Sequence, residues 1–331
     1  MSFTNTFDTT NTGSAVSNRE DLTDVLTILA PEETPILSSA DKKKASSTFV
    51  EWTVDSLAAP STSGISEGAD VTAFTDQFAG RAKLGNRVQK FRRDYMVSDM
   101  QEAVDSVGPA KIAQAEAKAI RELKRDIEAT LASANTQATE NGAGTANALG
   151  GLGDWIQNAA GSGNVPAAFQ TPAASVVDAG ATLSESEFNG LITSIFGVTG
   201  STNNLMLIAD TTLRSDISDF ARTTASATDN VRSVNYDGNS GEIKLSVDLY
   251  QSDHGVVSIV NGNPDCMPTQ AGTAGMMGYL VNPEYYGVHE LIPMGSTRLP
   301  NLGGGERGFV DCALTLGVYH PGAHGKIVDP A

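Results

Sequence analysis

The chain has 331 residues, 40% hydrophobic and 18% charged, with a formal net charge of −17. That length allows two domains, or one domain with arms, and the apolar content supports a packed core rather than disorder. So acidic a balance argues against a protein that grips nucleic acid by counterion release, and no apolar run reaches the roughly 18 residues of a spanning helix.

The start, MSFTNTFDTTNTG, lacks the basic and apolar regions of a secretory signal. Its Thr, Asn and Ser content reads as a flexible arm over residues 1 to about 20. A short helix is predicted around residues 21–30, where Leu22, Val25, Leu26 and Leu29 share a face and Pro31 stops it. Residues 32–39 (EETPILSS) read as an extended link, because Pro35 pushes its predecessor out of the α region.

Residues 48–57 (TFVEWTVDSL) alternate Val50, Trp52 and Val54 with Glu51, Thr53 and Asp55, the period of a strand. A second strand is predicted over residues 81–97 (RAKLGNRVQKFRRDYMV), with basic residues on both parities and therefore both faces partly solvated. Together they form a two-stranded ribbon reaching roughly 35–40 Å at about 3.3 Å per residue. Such a ribbon is marginal in water unless another surface covers it, which points to assembly rather than catalysis. Between the strands, residues 58–80 form a Gly/Ser/Ala-rich tip expected to order on contact.

Residues 109–134 read as one long helix, with Pro109 suited to its first turn and Ile112, Ile120, Leu123, Ile127 and Leu131 on a single stripe. At 1.5 Å per residue it is roughly 39 Å long, a backbone on which a thin sheet could lie. Residues 135–164 are rich in Gly, Ala and Asn, with Trp155 and Ile156 as the expected anchors. A helix (186–196), a buried strand (204–209) and a second helix (211–220) give an α/β reading, and the Ser184-Glu185-Ser186-Glu187 start suits a helix N-terminus. From residue 242 the chain is mostly strand, ending in RGFVDCALTLGVYH.

Reactive constellations are weak. Gly303, Gly305 and Gly308 match G-x-G-x-x-G, but LPNL precedes them and strand-like FVDCALTLGV follows, so a hairpin turn is expected rather than a phosphate site. His320 and His324 (HPGAH) are too few for a metal, which needs three or four ligands. Glu185 with Glu187, and Asp216 with Asp219, read as helix caps and solvated faces. Cys266 and Cys312 stand alone and read as buried reduced thiols. No catalytic residue, metal ligand or cofactor is expected, and no membrane contact.

The charge is uneven. Residues 1–126 hold 15 Lys and Arg against 19 Asp and Glu, while residues 127–331 hold 7 against 20. Arg81, Lys83, Arg87, Lys90, Arg92 and Arg93 place six positive charges in thirteen residues with no acid among them. They are therefore candidates for contact with an acidic surface, and the acidic portion of a neighbouring subunit supplies one.

The order of parts resembles the shell fold of tailed-phage major capsid proteins, shared with encapsulins. PEETPILSSA, KKKASSTFVEWTVDSLAAP, KAIRELKRDIEATLAS, YQSDHGVVSIV, MMGYLVNPEYYGVHELIP and GERGFVDCALTLGVYHPGAHGKI carry the likeness across roughly residues 31–331. The resemblance implies an α+β fold with an N-terminal arm (1–41), an extended loop lying on a neighbour (42–97) and a peripheral domain with its spine helix (98–145). It further implies an axial α/β domain (146–270) and return strands to the peripheral sheet (271–331). The implied function is a non-enzymatic major capsid protein. Pentamers and hexamers of it would close an icosahedral head around double-stranded DNA, assembled in the host bacterial cytoplasm and residing in the virion. Portal and decoration proteins would be partners, DNA would be touched non-specifically, and the short stretch before the ribbon implies a separate scaffolding protein or none. An encapsulin-like compartment shell is the alternative within the fold. A secreted β-rich carbohydrate-binding or hydrolytic protein is the alternative outside it.

Overall fold

The computed structural model describes residues 32–104, 111–157, 165–180, 182–222, 248–267 and 275–329. In chain order these form α1 (Pro35–Ser39), β1 (Asp41–Lys44), β2 (Phe49–Val54), β3 (Ala82–Arg87), β4 (Gln89–Val97), α2 (Asp99–Ala103), α3 (Lys111–Ala132) and α4 (Leu152–Trp155). There follow β5 (Val176–Asp178), α5 (Glu185–Thr199), β6 (Leu205–Ala209), α6 (Thr211–Arg222) and β7 (Leu249–Ser252). The chain closes with β8 (Gly255–Asn261), β9 (Gly275–Val281), β10 (Tyr286–Leu299), β11 (Glu306–Val318) and β12 (Gly325–Asp329). The helix predicted around residues 21–30, and the Gly108-Pro109 start of the long helix, lie outside the described residues.

The strands make a four-stranded sheet in the order β1-β10-β11-β4, a six-stranded sheet β5-β12-β9-β6-β8-β7, and the pair β2-β3. Helix α3 lies on the four-stranded sheet because its stripe is apolar where it must be: Ala119, Leu123, Ile127, Leu131 and Ala132 are all buried. They share a core with Phe91 and Tyr95 of β4 and Val310, Cys312 and Leu314 of β11. A second core joins Phe188, Leu191, Ile192 and Ile195 of α5 to Leu213 and Ile217 of α6 beneath the six-stranded sheet. Strands β6 and β9 separate the two cores. Leu205, Leu207 and Leu280 face the second core, while Ile208, Tyr279 and Val281 face the first. A strand buried on both faces reads as a continuous apolar run, which is why LMLIA shows no alternation. Helix α5 starts with a complete capping box between Ser184 and Glu187 and stops at Gly200, whose φ of 67° suits glycine.

Three expectations change. Residues 35–39 are helical rather than extended: Thr34 is held out of the α region (φ −131°, ψ 74°), but Pro35 itself opens α1 from the first helical position. The single long strand over 81–97 divides at Val88. Its first part pairs with β2, and its second enters the four-stranded sheet beside β11. With β1 in that sheet as well, the two-stranded ribbon spans β2 to β3 rather than residues 42–97. The division at residue 270 also shifts, because β9 and β12 are inner strands of the six-stranded sheet and only the β10–β11 hairpin returns to the four-stranded one.

That hairpin turns at the expected G-x-G-x-x-G segment. Gly303 and Gly305 have φ of 92° and 120°. A Cβ on residue 305 would sit 2.1 Å from the Val97 carbonyl oxygen, so only glycine fits. Pro293 falls where the β10–β11 register shifts between Ile292 and Gly295, a place where a missing N–H is tolerated.

Helix α1 borrows its cap. Thr34 makes no side-chain capping bond. Instead the carboxylate of Glu128, on α3, accepts the N–H groups of Ile36 at 2.8 Å and Leu37 at 2.9 Å. Glu128 is only 2% exposed. Desolvation raises its pKa from 4.5 to about 7, and the two backbone donors only partly offset it. A carboxyl whose folded pKa is raised contributes stability below its unfolded pKa and loses it as pH rises through the folded one. The wild type should therefore lose roughly 3 kcal/mol relative to Glu128→Gln on going from about pH 4.5 to about pH 8. Denaturant unfolding of both proteins at both pH values measures this, and a pH-independent difference would contradict it.

Candidate assembly surfaces

The ribbon is anchored at its base and bare at its tip. At the base, Leu84 is 1% exposed, and Trp52 packs on Trp155 at 5.5 Å and on Tyr319 at 6.0 Å between ring centroids. Asn86 is fully buried and donates to the Gly150 and Leu316 carbonyls at 3.0 and 2.8 Å. Its Oδ1 accepts the Gly150 N–H at 2.8 Å and the Arg87 N–H at 2.9 Å, so the amide is satisfied on both ends. Gly85 admits the Phe49 ring, which would lie 2.6 Å from a Cβ there. The ribbon base thus has a core after all, shared with the chain's own body. Trp155 and Ile156 are buried as predicted.

Beyond Val54 the chain changes character. Every residue from 55 to 81 is exposed. Leu57, Ile65, Val71 and Phe74 stand in solvent, at 100%, 88%, 71% and 91% exposure. Four large apolar side chains held out of any core mark a surface awaiting a partner.

The six basic candidates are not brought together. Arg81 pairs with Asp55 at 2.7 Å, Lys90 with Asp311 at 2.9 Å and Arg92 with Asp94 at 2.7 Å. Arg93 forms a two-pronged pair with Asp126 of α3 at 2.5 and 2.7 Å. Their counter-charges come from the same chain, so the case for a neighbour's acids narrows to Lys83 and Arg87. Neither has an acidic partner among the described residues, and Arg87 lies over the Phe49 ring, 5.0 Å from its centroid. Both sit on the ribbon face opposite Leu84 and Asn86.

The remaining reactive candidates are accounted for by packing. His324 is fully buried, its Nδ1 accepts the Asn282 N–H at 3.2 Å, and burial lowers its pKa to about 4. Burial pushes the Cys312 thiol up to about 12 and raises that of Cys266, so neither is a ready nucleophile. Among the described residues no group of three or more His, Cys, Asp or Glu is placed to hold a metal, and no helix is long and apolar enough to cross a membrane. One important side chain carries no motif: Glu128 is a charge beside an apolar stripe.

Solved structures of low identity share this architecture. The capsid of a native GTA particle superposes with a TM-score of 0.64 over 98% of this chain and 99% of that one, at 10% identity. The capsid of the cyanophage P-SCSP1u gives 0.62 over 99% of each chain at 14% identity. The SrpI encapsulin of Synechococcus elongatus PCC 7942 gives 0.53 over 96% and 93% at 10% identity. No curated protein matches the chain by sequence. The class is thereby defined: the fold is the α+β shell fold of phage capsids, which encapsulins also adopt. The family follows from the sequence, because the profile of the SU10 major capsid protein matches residues 3–331, and the chain belongs to that family. It is a structural capsid shell protein of the virion, working as a multimer.

Proposed function

We propose that this chain builds the icosahedral head of a tailed phage from pentamers and hexamers around double-stranded DNA, without a chemical step. The exposed apolar loop of residues 55–81 carries the reading, since a subunit that leaves it bare in solution covers it only by associating. In this reading residues 49–87 are the extended loop lying on a neighbour. Helix α3 with the four-stranded sheet is the peripheral domain, and the six-stranded sheet with α5 and α6 is the axial domain. Assembly takes place in the host bacterial cytoplasm. Portal, scaffolding and decoration proteins complete the particle, and the acidic body limits DNA to non-specific contact. The encapsulin-like alternative shares the fold but not the family.

Lys83 and Arg87 are the ribbon charges assigned to a neighbour's acidic surface. One exposed ion pair contributes only about 0.2–1 kcal/mol, but the same pairs recur at every interface of a closed shell. Purified wild-type protein without DNA should form closed shells or pentameric and hexameric rings under negative stain, with a yield that falls as salt rises. Lys83→Glu with Arg87→Glu should prevent closure. A wild type that stays monomeric would refute the shell reading. Normal empty shells from the double variant would assign the two charges to DNA instead.

A further inference from the structure

Residues 32–40 form a strap that belongs to none of the three sheets and runs into β1 at Asp41. Its tethers reach both halves of the fold. From α3, Glu128 accepts the Ile36 and Leu37 N–H groups, and Arg121 pairs with Glu32 at 3.1 Å. From the segment after β8, the Asn263 amide donates to the Glu33 carbonyl at 2.9 Å. From β10, the Tyr286 hydroxyl shares a hydrogen bond with that of Ser39 at 2.5 Å. The segment after β8 also meets α3 directly, through Arg125 and Asp265 at 2.5 Å and through the Cys266 thiol, which donates to the Arg125 carbonyl at 3.6 Å. The strap thus closes over the seam where α3 meets chain leaving the six-stranded sheet.

The Glu128 tether differs from the rest. Its carboxyl is buried, and no Lys, Arg or His pairs with it among the described residues. Arg121 and Arg125, on the same helix, are taken by Glu32 and Asp265. Tyr286 of β10 and Cys266 are the titratable groups that face it, and burial raises the pKa of both, so both are neutral near pH 7. The strap's own acids, Glu32 and Glu33, are exposed. An ionised Glu128 is therefore countered by two backbone N–H groups alone, too few to replace its lost hydration. Those two donors belong to the strap, so lifting the strap is the shortest way for the carboxylate to reach water. The lift breaks no strand pairing, and the side chains it takes from the interior are Pro35, Ile36 and Ala40.

We propose that residues 32–40 are a proton-controlled clasp: protonated Glu128 holds the strap across the seam, and ionised Glu128 lets it lift while both cores stay folded. The clasp goes beyond the shell reading and does not depend on it. Its sign follows from burial. Docked, Glu128 has a pKa of about 7; lifted into water, it returns toward the ordinary 4.5. Docking is therefore strongest below the lower value and is lost progressively as pH rises through the higher one. Lifting also removes the Asn263 and Arg121 contacts of the strap, which loosens the join between the two sheets.

Hydrogen exchange in the full chain, followed by mass spectrometry over peptides covering residues 32–40, tests the clasp. After correction for the intrinsic pH dependence of exchange, strap opening should rise by roughly 70-fold between about pH 5 and about pH 8. Peptides of β11 report opening of the whole subunit in the same sample and should not follow. In Glu128→Gln the strap should open equally at both pH values. Should that variant misfold, the comparison with β11 inside the wild type still decides. Strap exchange that tracks β11 would overturn the clasp, because the pH response would then belong to the whole subunit. A strap equally protected at both pH values would overturn it as well. So would a rise of the same size in Glu128→Gln, which would assign the response to another group.

Discussion

Deleting residues 61–78 should leave a folded subunit and abolish closed shells. No side chain in the deleted stretch is buried, so no core is opened. The ribbon beneath it is fixed below the cut, by the Val54–Ala82 pairing and the Asp55–Arg81 contact, and further down by Trp52 and Asn86. Shortening the connection slightly lowers its closure cost, since that cost varies only with the logarithm of length. On the assembly side the loss is large. Burying one large apolar side chain contributes about 1.5–3 kcal/mol, and the deletion removes Ile65, Val71, Phe74 and Phe78 from every interface. Circular dichroism should show a near-native melting profile, and sedimentation should show monomers or small oligomers. An unfolded truncation would place the loop in the chain's own core, and intact shells would remove it from the subunit contact.

The parts of the molecule that read well from sequence are those held by local periodicity. Helix α3 is found from its stripe, α5 from its capping box, and β6 from an apolar run bounded by turns. The ribbon read less well because its second strand serves two sheets. The buried set shows the change: Leu84, Asn86 and Val88 lie on one parity, Phe91 and Tyr95 on the other. That flip at Val88 is visible in the letters, but nothing local tells which distant strand takes over. The partner of β4 is β11, more than two hundred residues later. The ion pairs of the charged strand were illegible for the same reason. Asp126 and Asp311, which neutralise Arg93 and Lys90, are remote in sequence and adjacent only after folding. The buried roles of Asn86 and Glu128 were not legible, since a polar residue that satisfies distant backbone groups from inside a core leaves no periodic trace.

Leu123→Ala and Ile127→Ala should each cost the subunit about 2–5 kcal/mol, against at most about 0.5 kcal/mol for Lys124→Ala. Both apolar residues are fully buried, on the line of α3 that meets Phe91, Tyr95 and Val310 of the sheet. Truncation there removes transfer free energy and leaves a cavity that a helix pinned at several points cannot collapse. α3 is held by the Arg93–Asp126 pair and by its own Glu128, which accepts the N–H groups that open α1, and at its end by the Tyr279 hydroxyl, which donates to the Ala132 carbonyl. Lys124 is exposed between the two and supports no core contact. A domain is stable by only about 5–15 kcal/mol, so either core change removes a large fraction of the total. Shells would respond more steeply than monomers, because each subunit must hold its sheet in place while its neighbours bind to it. Urea midpoints for the three variants decide the matter. Equal, small shifts at all three positions would make α3 a solvated bridge, and the four-stranded sheet would then need another support.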